Sequence, residues 1–394
     1  MTYDAKKKMR IAALTGNRSD YDLLSYLYKR LNNDPELDFG LIVTGGHLAP
    51  GYENSVREME RDGNRILAKI EDLTGADALK DRAVAIGRLM EPLAGIMEGF
   101  APDLLIGAGD REEVPAAALA AAYMKIPFMH FFGGEFVPDG HPDNLARAAA
   151  SKLATVHMAA LEEHRRRLLA MGEPDWRIHV IGSAALDKYR EEPRKSRREL
   201  LDSLGLADWD EYALLIYHPP TEIEGENHEI RAILRALADR ELHVLASYPN
   251  TDAGSGGVIA EFEKYRDDKH FYFYKNFDRN TFVNTMRNAS LQIGNSSAGV
   301  CESASVPIPA VNVGSRNGRR AAQENVLFTG GDPKDISAAI DTALSSGFAE
   351  KIAGIKNLYG DGESSQKAYD LIKSIDYSKI AWKKEDPLKR REDE

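Results

Sequence analysis

The chain has 394 residues, which suggests two to three domains at about 150 residues each. Its 51 Lys and Arg against 62 Asp and Glu leave a net charge of −11, which argues against a general nucleic-acid binder or a protein of anionic membranes. The single cysteine, Cys301, excludes an intrachain disulfide framework and a cysteine-clustered zinc site, and no apolar run reaches the roughly eighteen residues of a transmembrane helix.

In chain order, a basic N-terminus leads straight into an apolar run over residues 9–15 that ends in a Gly turn. It reads as a first strand rather than a signal peptide, and the chain is expected to be cytoplasmic. Further short apolar runs follow at 39–44, 103–108, 127–132, 154–160 and 178–183. A second series covers 212–217, 242–248, 271–274, 291–293 and 308–313. Most are rich in Ile, Val, Leu and Phe and do not alternate, as expected of strands buried on both faces of a parallel sheet. Between them lie helical patterns at 22–31, 85–100, 115–124, 161–170, 229–239 and 281–287. The alternation predicts an α/β protein of two doubly wound, Rossmann-like domains. The charged, Pro-containing stretch 187–210 separates the two series. The expected units are therefore 1–186, 187–376 and a charged, solvated tail over 377–394.

Open α/β sheets bind ligands beyond the carboxyl ends of their strands, so chemistry is sought there. The first run ends in Gly16, Asn17, Arg18 and Ser19, with Asp20 readable as an ordinary helix cap. The turn is suited to a phosphate, but it matches neither GxGxxG nor a Walker loop. Asp110 and Glu135 close two consecutive runs beside Gly turns, as paired carboxylates for proton transfer would. His218 ends the first run of the second series, before Pro219. Gly294, Asn295, Ser296, Ser297 and Gly299 make a strand–turn–helix cradle for phosphate, and Glu302 lies one turn on, where it would accept from a ribose diol. Cys301 reads as a packing thiol.

Taken together, the pieces TGNRSDYDLL, VTGGHLAPGYENSVREMERDG, GDREEVPAAALAAAYMKIPFMHFFGGE, YHPPTEI, SYPNTDAGS, GNSSAGVCESASVPIPAVNVGSRNGRR and ENVL resemble the hydrolysing UDP-N-acetylglucosamine 2-epimerases. The pieces run in order along nearly the whole chain. The resemblance implies a glycosyltransferase-B arrangement, with the two domains facing across a cleft that holds the nucleotide. It implies conversion of UDP-GlcNAc, or a UDP-2,4-diacetamido-6-deoxy analogue, and water into the free 2-epimer and UDP. It further implies a role in sialic-acid-like sugar synthesis, no metal or other cofactor, and a homodimer. By motif, Asp110, Glu135, Asp143 and His218 are the expected catalytic groups. Arg18, His47, Arg111, Arg147, Asn250, Ser296, Ser297, Gly299, Glu302, Arg316 and Arg320 are expected around the UDP-sugar.

The chain departs from the family pattern after the GGE motif. Asn144 stands where a carboxylate is usual and Ala148 where a His is usual, so either Asp143 or His141 takes over the third acid's part, or the substrate carries a different sugar substituent that Asn144 and Ala148 accommodate. Arg319 and Pro307 replace usual glycines. A glycosyltransferase of the same architecture, and a nucleotide-sugar-binding protein without turnover, are the alternatives these departures leave open.

Overall fold

The computed structural model describes residues 8–48, 54–73, 79–136, 143–206, 209–219, 227–249, 254–318 and 320–388. The chain forms two compact units, each on its own sheet. In the first, the strands are β1 (Met9–Thr15), β2 (Leu37–Val43), β3 (Ile66–Lys69), β4 (Leu104–Ala108), β5 (Phe128–Phe131), β6 (Val156–Ala159) and β7 (Ile178–Val180). All pairings are parallel, in the order β3-β2-β1-β4-β5-β6-β7. The second unit holds β8 (Tyr212–Ile216), β9 (His243–Ser247), β10 (Phe271–Tyr274), β11 (Leu291–Gly294), β12 (Ala310–Val313) and β13 (Val326–Thr329). Their order is β10-β9-β8-β11-β12-β13, again parallel.

Each order reverses direction once, between β1 and β4 in the first sheet and between β8 and β11 in the second. Loops leaving the two strands at such a reversal diverge, so a crevice opens at their carboxyl ends. The residues singled out from the sequence, Gly16–Asp20, Gly109–Glu113, His218 and Gly294–Ser297, follow these four strands.

The expected runs all become strands. Two further strands, β3 and β13, lie at sheet edges and are half-exposed along most of their length, so neither carries a continuous apolar run. In the first unit, one face of the sheet packs on the helix Arg18–Asn33 through Tyr21, Leu24, Leu27 and Leu31. The other face packs on the helices Leu79–Phe100 and Glu113–Met124, where Ala116, Ala117, Ala120 and Ala121 allow close approach. The second sheet builds its own core around Leu215, Val244, Ile293 and Val311.

The unit boundaries differ from the expected extents at the C-terminus. The described residues from 362 onward rejoin the first unit instead of completing the second. Asp187 is buried at the exit of the first unit, and its carboxylate accepts from the backbone N–H groups of Ser364 (3.0 Å) and Ser365 (2.6 Å). The helix Ser364–Ser374 then packs Ala368 and Ile372 into the first core. Tyr369 and Lys373 bond Asp34, each at 2.6 Å. Tyr377 and Ile380 are buried in the same core, so the start of the expected solvated tail is a packed element. No helix among the described residues is long and apolar enough to cross a membrane.

Candidate functional site

In the first unit the site is built where β4 and β5 end side by side, with Ala108 paired to Phe131. Gly109 and Gly134 carry the left-handed φ values +86° and +78° that turn each loop sharply. At Gly134 a Cβ would sit 2.2 Å from the His164 carbonyl oxygen. Phe132, between the strand and the GG pair, also has a positive φ of 64°, a strained conformation for a bulky residue. These turns bring together Asp110, Glu135 and the first turn of the helix Asp143–Leu153. Arg147 of that helix is 5% exposed. It forms an ion pair with Asp110 and donates to the Glu135 carbonyl (3.1 Å) and to Asn144 Oδ1 (3.4 Å). Arg147 thus stands beneath the acids rather than beside an open ligand position.

Burial raises the Asp110 carboxyl above its ordinary value. The Arg147 guanidinium opposes the rise, and the neighbouring Asp143 and Glu135 charges add to it. A carboxylate so placed takes up a proton more readily than a solvated one. Behind it, His130 is fully buried on β5. Its Nε2 lies 2.8 Å from the Gly109 carbonyl and its Nδ1 3.0 Å from Ser151 Oγ. A carbonyl can only accept, so Nε2 carries the proton and Nδ1 accepts from Ser151. Burial takes this imidazole down to about 3, which keeps it neutral. The sequence reading missed His130, since nothing about a lone His in an apolar run marks it as the tether of the Gly109 turn.

At the ends of β1 and β2 the structure differs from two expectations. The cap of the helix Arg18–Asn33 is Asn17, whose Oδ1 accepts from the Asp20 N–H at 3.1 Å. Asp20 is instead buried, near Arg111, Asp110 and Glu113. His47 is also fully buried, with Nε2 at 2.9 Å from Thr15 Oγ1 and Nδ1 at 2.9 Å from Ser55 Oγ. It binds the β1 and β2 turns together, which corrects its expected place at the ligand. Burial takes it down to about 4. Arg18 is exposed, with Nε 3.5 Å from Glu58. Glu113 is buried against the Gly16 backbone, where any Cβ would collide with its carboxyl, and its Oε1 has no hydrogen-bond partner. Burial raises the carboxyls of both Asp20 and Glu113, while Arg111, between them, is held in its charged form by Glu113, Glu112 and Asp20. From sequence Asp20 reads as an ordinary helix cap and Glu113 is given no role.

In the second unit, three asparagines fix the strand ends. Asn295, after β11, accepts from the His218 N–H and donates to the His218 carbonyl, both at 2.8 Å. Asn317 donates to the Asn295 carbonyl (2.8 Å) and to Asn312 Oδ1 (3.0 Å). His218 is therefore held through its backbone. At Gly294, φ is +133° and a Cβ would lie 2.0 Å from the Ile216 carbonyl, so only glycine fits. Ser296 caps the short helix Ser297–Cys301 by accepting from the Ala298 N–H at 3.3 Å, and Ser297 is exposed. Gly299 is set by packing, because a Cβ would strike Gln292 Oε1 at 1.9 Å. Glu302 receives Lys188 Nζ at 2.9 Å and the Tyr189 hydroxyl at 2.8 Å, partners that orient its carboxylate. Arg320 Nη1 is 3.9 Å from Cys301 Sγ, which places this arginine beside the cradle. Arg316 lies close enough to Tyr217 to influence its hydroxyl.

Asn250, His141 and Arg319 lie outside the described residues. Among the described residues, no three His, Cys, Asp or Glu side chains are placed to hold a metal ion.

A family model described as UDP-N-acetylglucosamine 2-epimerase matches residues 29–373. The chain is 32% identical over 372 residues to the Legionella pneumophila protein named UDP-N,N′-diacetylbacillosamine 2-epimerase (hydrolyzing), covering 93% of this chain and 96% of that one. It is 29% identical over 339 residues to the UDP-N-acetylglucosamine 2-epimerase of Neisseria meningitidis serogroup B, covering 86% and 88%. Its fold is similar to the crystal structure of the Neisseria meningitidis UDP-GlcNAc 2-epimerase bound to UDP-GlcNAc. The TM-score is 0.79 at 17% identity, over 93% of this chain and all of that one (100%).

Proposed function

The chain belongs to the UDP-N-acetylglucosamine 2-epimerase family of enzymes, and from that premise we propose that it is a hydrolysing 2-epimerase of a UDP-linked 2-acetamido sugar. The observation that carries the reading is the group formed by Asp110, Glu135 and Asp143 around the buried Arg147. Such a reaction must remove a proton from C2 and return one to the opposite face, which requires acids with accessible protonation states. As the bond from C1 to the diphosphate oxygen breaks, positive charge grows at C1 and the C2 proton becomes removable. A carboxylate takes that proton, UDP departs, and a 2-acetamidoglucal with a C1–C2 double bond remains. A second acid then delivers a proton to C2 from the other face, and water adds its oxygen to C1 and gives up one proton to the carboxylate so formed. The net change is UDP-sugar plus water to free 2-epimer plus UDP.

Asp110 and Glu135 are assigned the two proton transfers, and Asp143 takes the part of the carboxylate absent at Asn144. The crowding of these acids supports the assignment, because each negative neighbour raises the tendency of Asp110 to hold a proton. His218, Arg18, Arg111, Arg316 and Arg320 are assigned to the phosphates and the glycosidic oxygen. Ser296 and Ser297 complete the diphosphate cradle, and Glu302 accepts from the ribose. Local arginines suffice for one dianion in a chain of net charge −11, since the nearby field governs binding.

The substrate we favour is a UDP-2,4-diacetamido-6-deoxy sugar, as in the name of the Legionella relative, with UDP-GlcNAc as its competitor. Neutral Asn144 and small Ala148 in place of a carboxylate and an imidazole are consistent with an altered sugar substituent. A place in sialic-acid-like sugar synthesis, a homodimeric state and a cytoplasmic location complete the proposal. The test is incubation with each UDP-sugar in deuterated water. Release of UDP together with a free 2-epimer deuterated at C2 supports the reading; release of sugar with protium retained at C2 overturns it.

A further inference from the structure

The residues after the last long helix carry more polar anchoring than a chain end needs. Glu173 is completely buried and receives three donors: Lys152 Nζ at 3.0 Å, His157 Nε2 at 3.0 Å and Lys383 Nζ at 2.5 Å. Burial alone would raise this carboxyl, but the bonds from His157 and Lys383 take it down to about 2, so it is a permanent anion. Lys383 Nζ also donates to the Lys152 carbonyl at 2.8 Å. Nearby, the buried guanidinium of Arg177 donates to the carbonyls of Thr155, Ile380 and Trp382 at 2.9, 3.2 and 3.0 Å, and pairs with Glu385 at 3.0 Å. The segment around 380–385 is thus bound at several points, to Arg177 just before β7, to Glu173 and to the last turn of the helix before β6.

That helix, Asp143–Leu153, is the one whose first turns carry Asp143, Asn144 and Arg147. Lys152 is its penultimate residue, so Lys383 satisfies a carbonyl of the last turn that has no partner within the helix. A cation there also complements the negative end of the helix dipole. Ser151, one residue earlier, bonds His130, and His130 bonds the Gly109 carbonyl next to Asp110. His157, the ligand of Glu173, is the cross-strand partner of His130. Both ends of the helix and the Asp110 turn therefore share one connected set of bonds, and the C-terminal segment closes it.

We propose that the segment Tyr377–Leu388 is a strap that sets the position of the helix Asp143–Leu153, and that Lys383 and Glu173 are positioning residues for the reaction at Asp110 and Arg147. The proposal rests on the epimerase reading above. A rigid helix transmits a shift of its last turn to its first, and a displacement of about 1 Å at a catalytic group can reduce turnover by up to roughly a hundredfold. Substrate binding that depends on the second unit would be little affected.

The full-length chain with Lys383→Met tests this, beside Lys383→Arg, which keeps the charge. Lys383→Met should lower kcat about tenfold and leave KM for the UDP-sugar within about twofold. Lys383→Arg should restore most of kcat. Amide hydrogen exchange across 143–153 should quicken in Lys383→Met and not in Lys383→Arg, a readout that needs no turnover. An unchanged kcat in Lys383→Met, or an equal loss in both variants, overturns the strap. If the parent chain turns over no UDP-sugar, the reaction reading fails by itself. Unchanged exchange across 143–153 would then overturn the strap separately.

Discussion

Arg147→Met removes the buried guanidinium while keeping a helix-compatible side chain of comparable length. The guanidinium is paired with Asp110, whose side chain retains 27% of its exposure. Removing one partner of a fully buried pair costs about 3–5 kcal/mol, because the other charge is left desolvated. The residual exposure of Asp110 lets water share that charge, which brings the expected loss to about 2–3 kcal/mol. The loss should depend on pH in a defined direction. Burial already raises the Asp110 carboxyl, and Arg147 is the chief influence holding it down. Without Arg147 it rises further, so the folded state keeps a proton that the unfolded state releases. Folding is then favoured as pH falls through the raised value, and the penalty is largest above it. Urea unfolding of the parent, Arg147→Met, Asp110→Asn and the double variant at pH 5 and pH 8 measures this. The destabilisation by Arg147→Met should be greater at pH 8, and Asp110→Asn should relieve most of it. The same loss at both pH values, with coupling between the two sites below about 0.5 kcal/mol, would refute the assignment of Arg147 as the counter-charge of Asp110.

Asp110→Asn should lower kcat by about 10²–10⁴ while UDP affinity, read by calorimetry, changes little; a parallel fall in both would remove Asp110 from proton transfer. Glu113→Gln should stabilise the protein by on the order of 1–3 kcal/mol at pH 8, with the gain gone by pH 5, because burial raises the native carboxyl and the folded state pays for ionising it only at higher pH. Gly134→Ala should cost about 2–4 kcal/mol in urea unfolding, since φ is +78° and the new Cβ would meet the His164 carbonyl. Gly95→Ala, inside the helix Leu79–Phe100 with open space around its Cα, should instead gain about 0.5–1 kcal/mol.

What the sequence made legible follows from how strongly each feature is constrained locally. Strands buried on both faces announce themselves as apolar runs, so β1, β4, β8 and β11 were readable, and with them the ends that carry chemistry. Edge strands such as β3 keep half-exposed residues, and nothing in ILAK separates it from a loop. Asp110 and Glu135 were readable because a carboxylate after a buried strand and beside glycine is unusual. The residues that hold them were not. His130 and Ser151 act through contacts separated by 21 positions in sequence, and Arg147, expected at the UDP-sugar from the resemblance, pairs with Asp110 across 37; such pairings have no local signature. Asn295 was readable only as part of the phosphate cradle and Asn317 carried no role, since an Asn near a Gly turn suits any loop. The path of the chain end was hidden for a related reason. A stretch rich in Lys and Glu looks solvated until its partners, here Glu173 and Arg177, are found buried.

The two halves of the proposed reaction make opposite electrostatic demands. Proton exchange at C2 needs carboxyls whose ionised and neutral forms lie close in energy. In the first unit burial raises the Asp110 carboxyl, and the neighbouring Asp143 and Glu135 charges add to that rise against the Arg147 guanidinium. Departure of the diphosphate needs fixed donors that do not titrate in the working range. In the reaction proposed above the assigned donors are the Ser296 and Ser297 hydroxyls, Arg316 and Arg320 in the second unit, and Arg18 and Arg111 in the first. A substitution that adds a carboxylate to the second cradle, such as Ser297→Asp, should for that reason weaken UDP binding far more than a neutral Ser297→Ala. Equal effects of the two would mean that the diphosphate is held elsewhere.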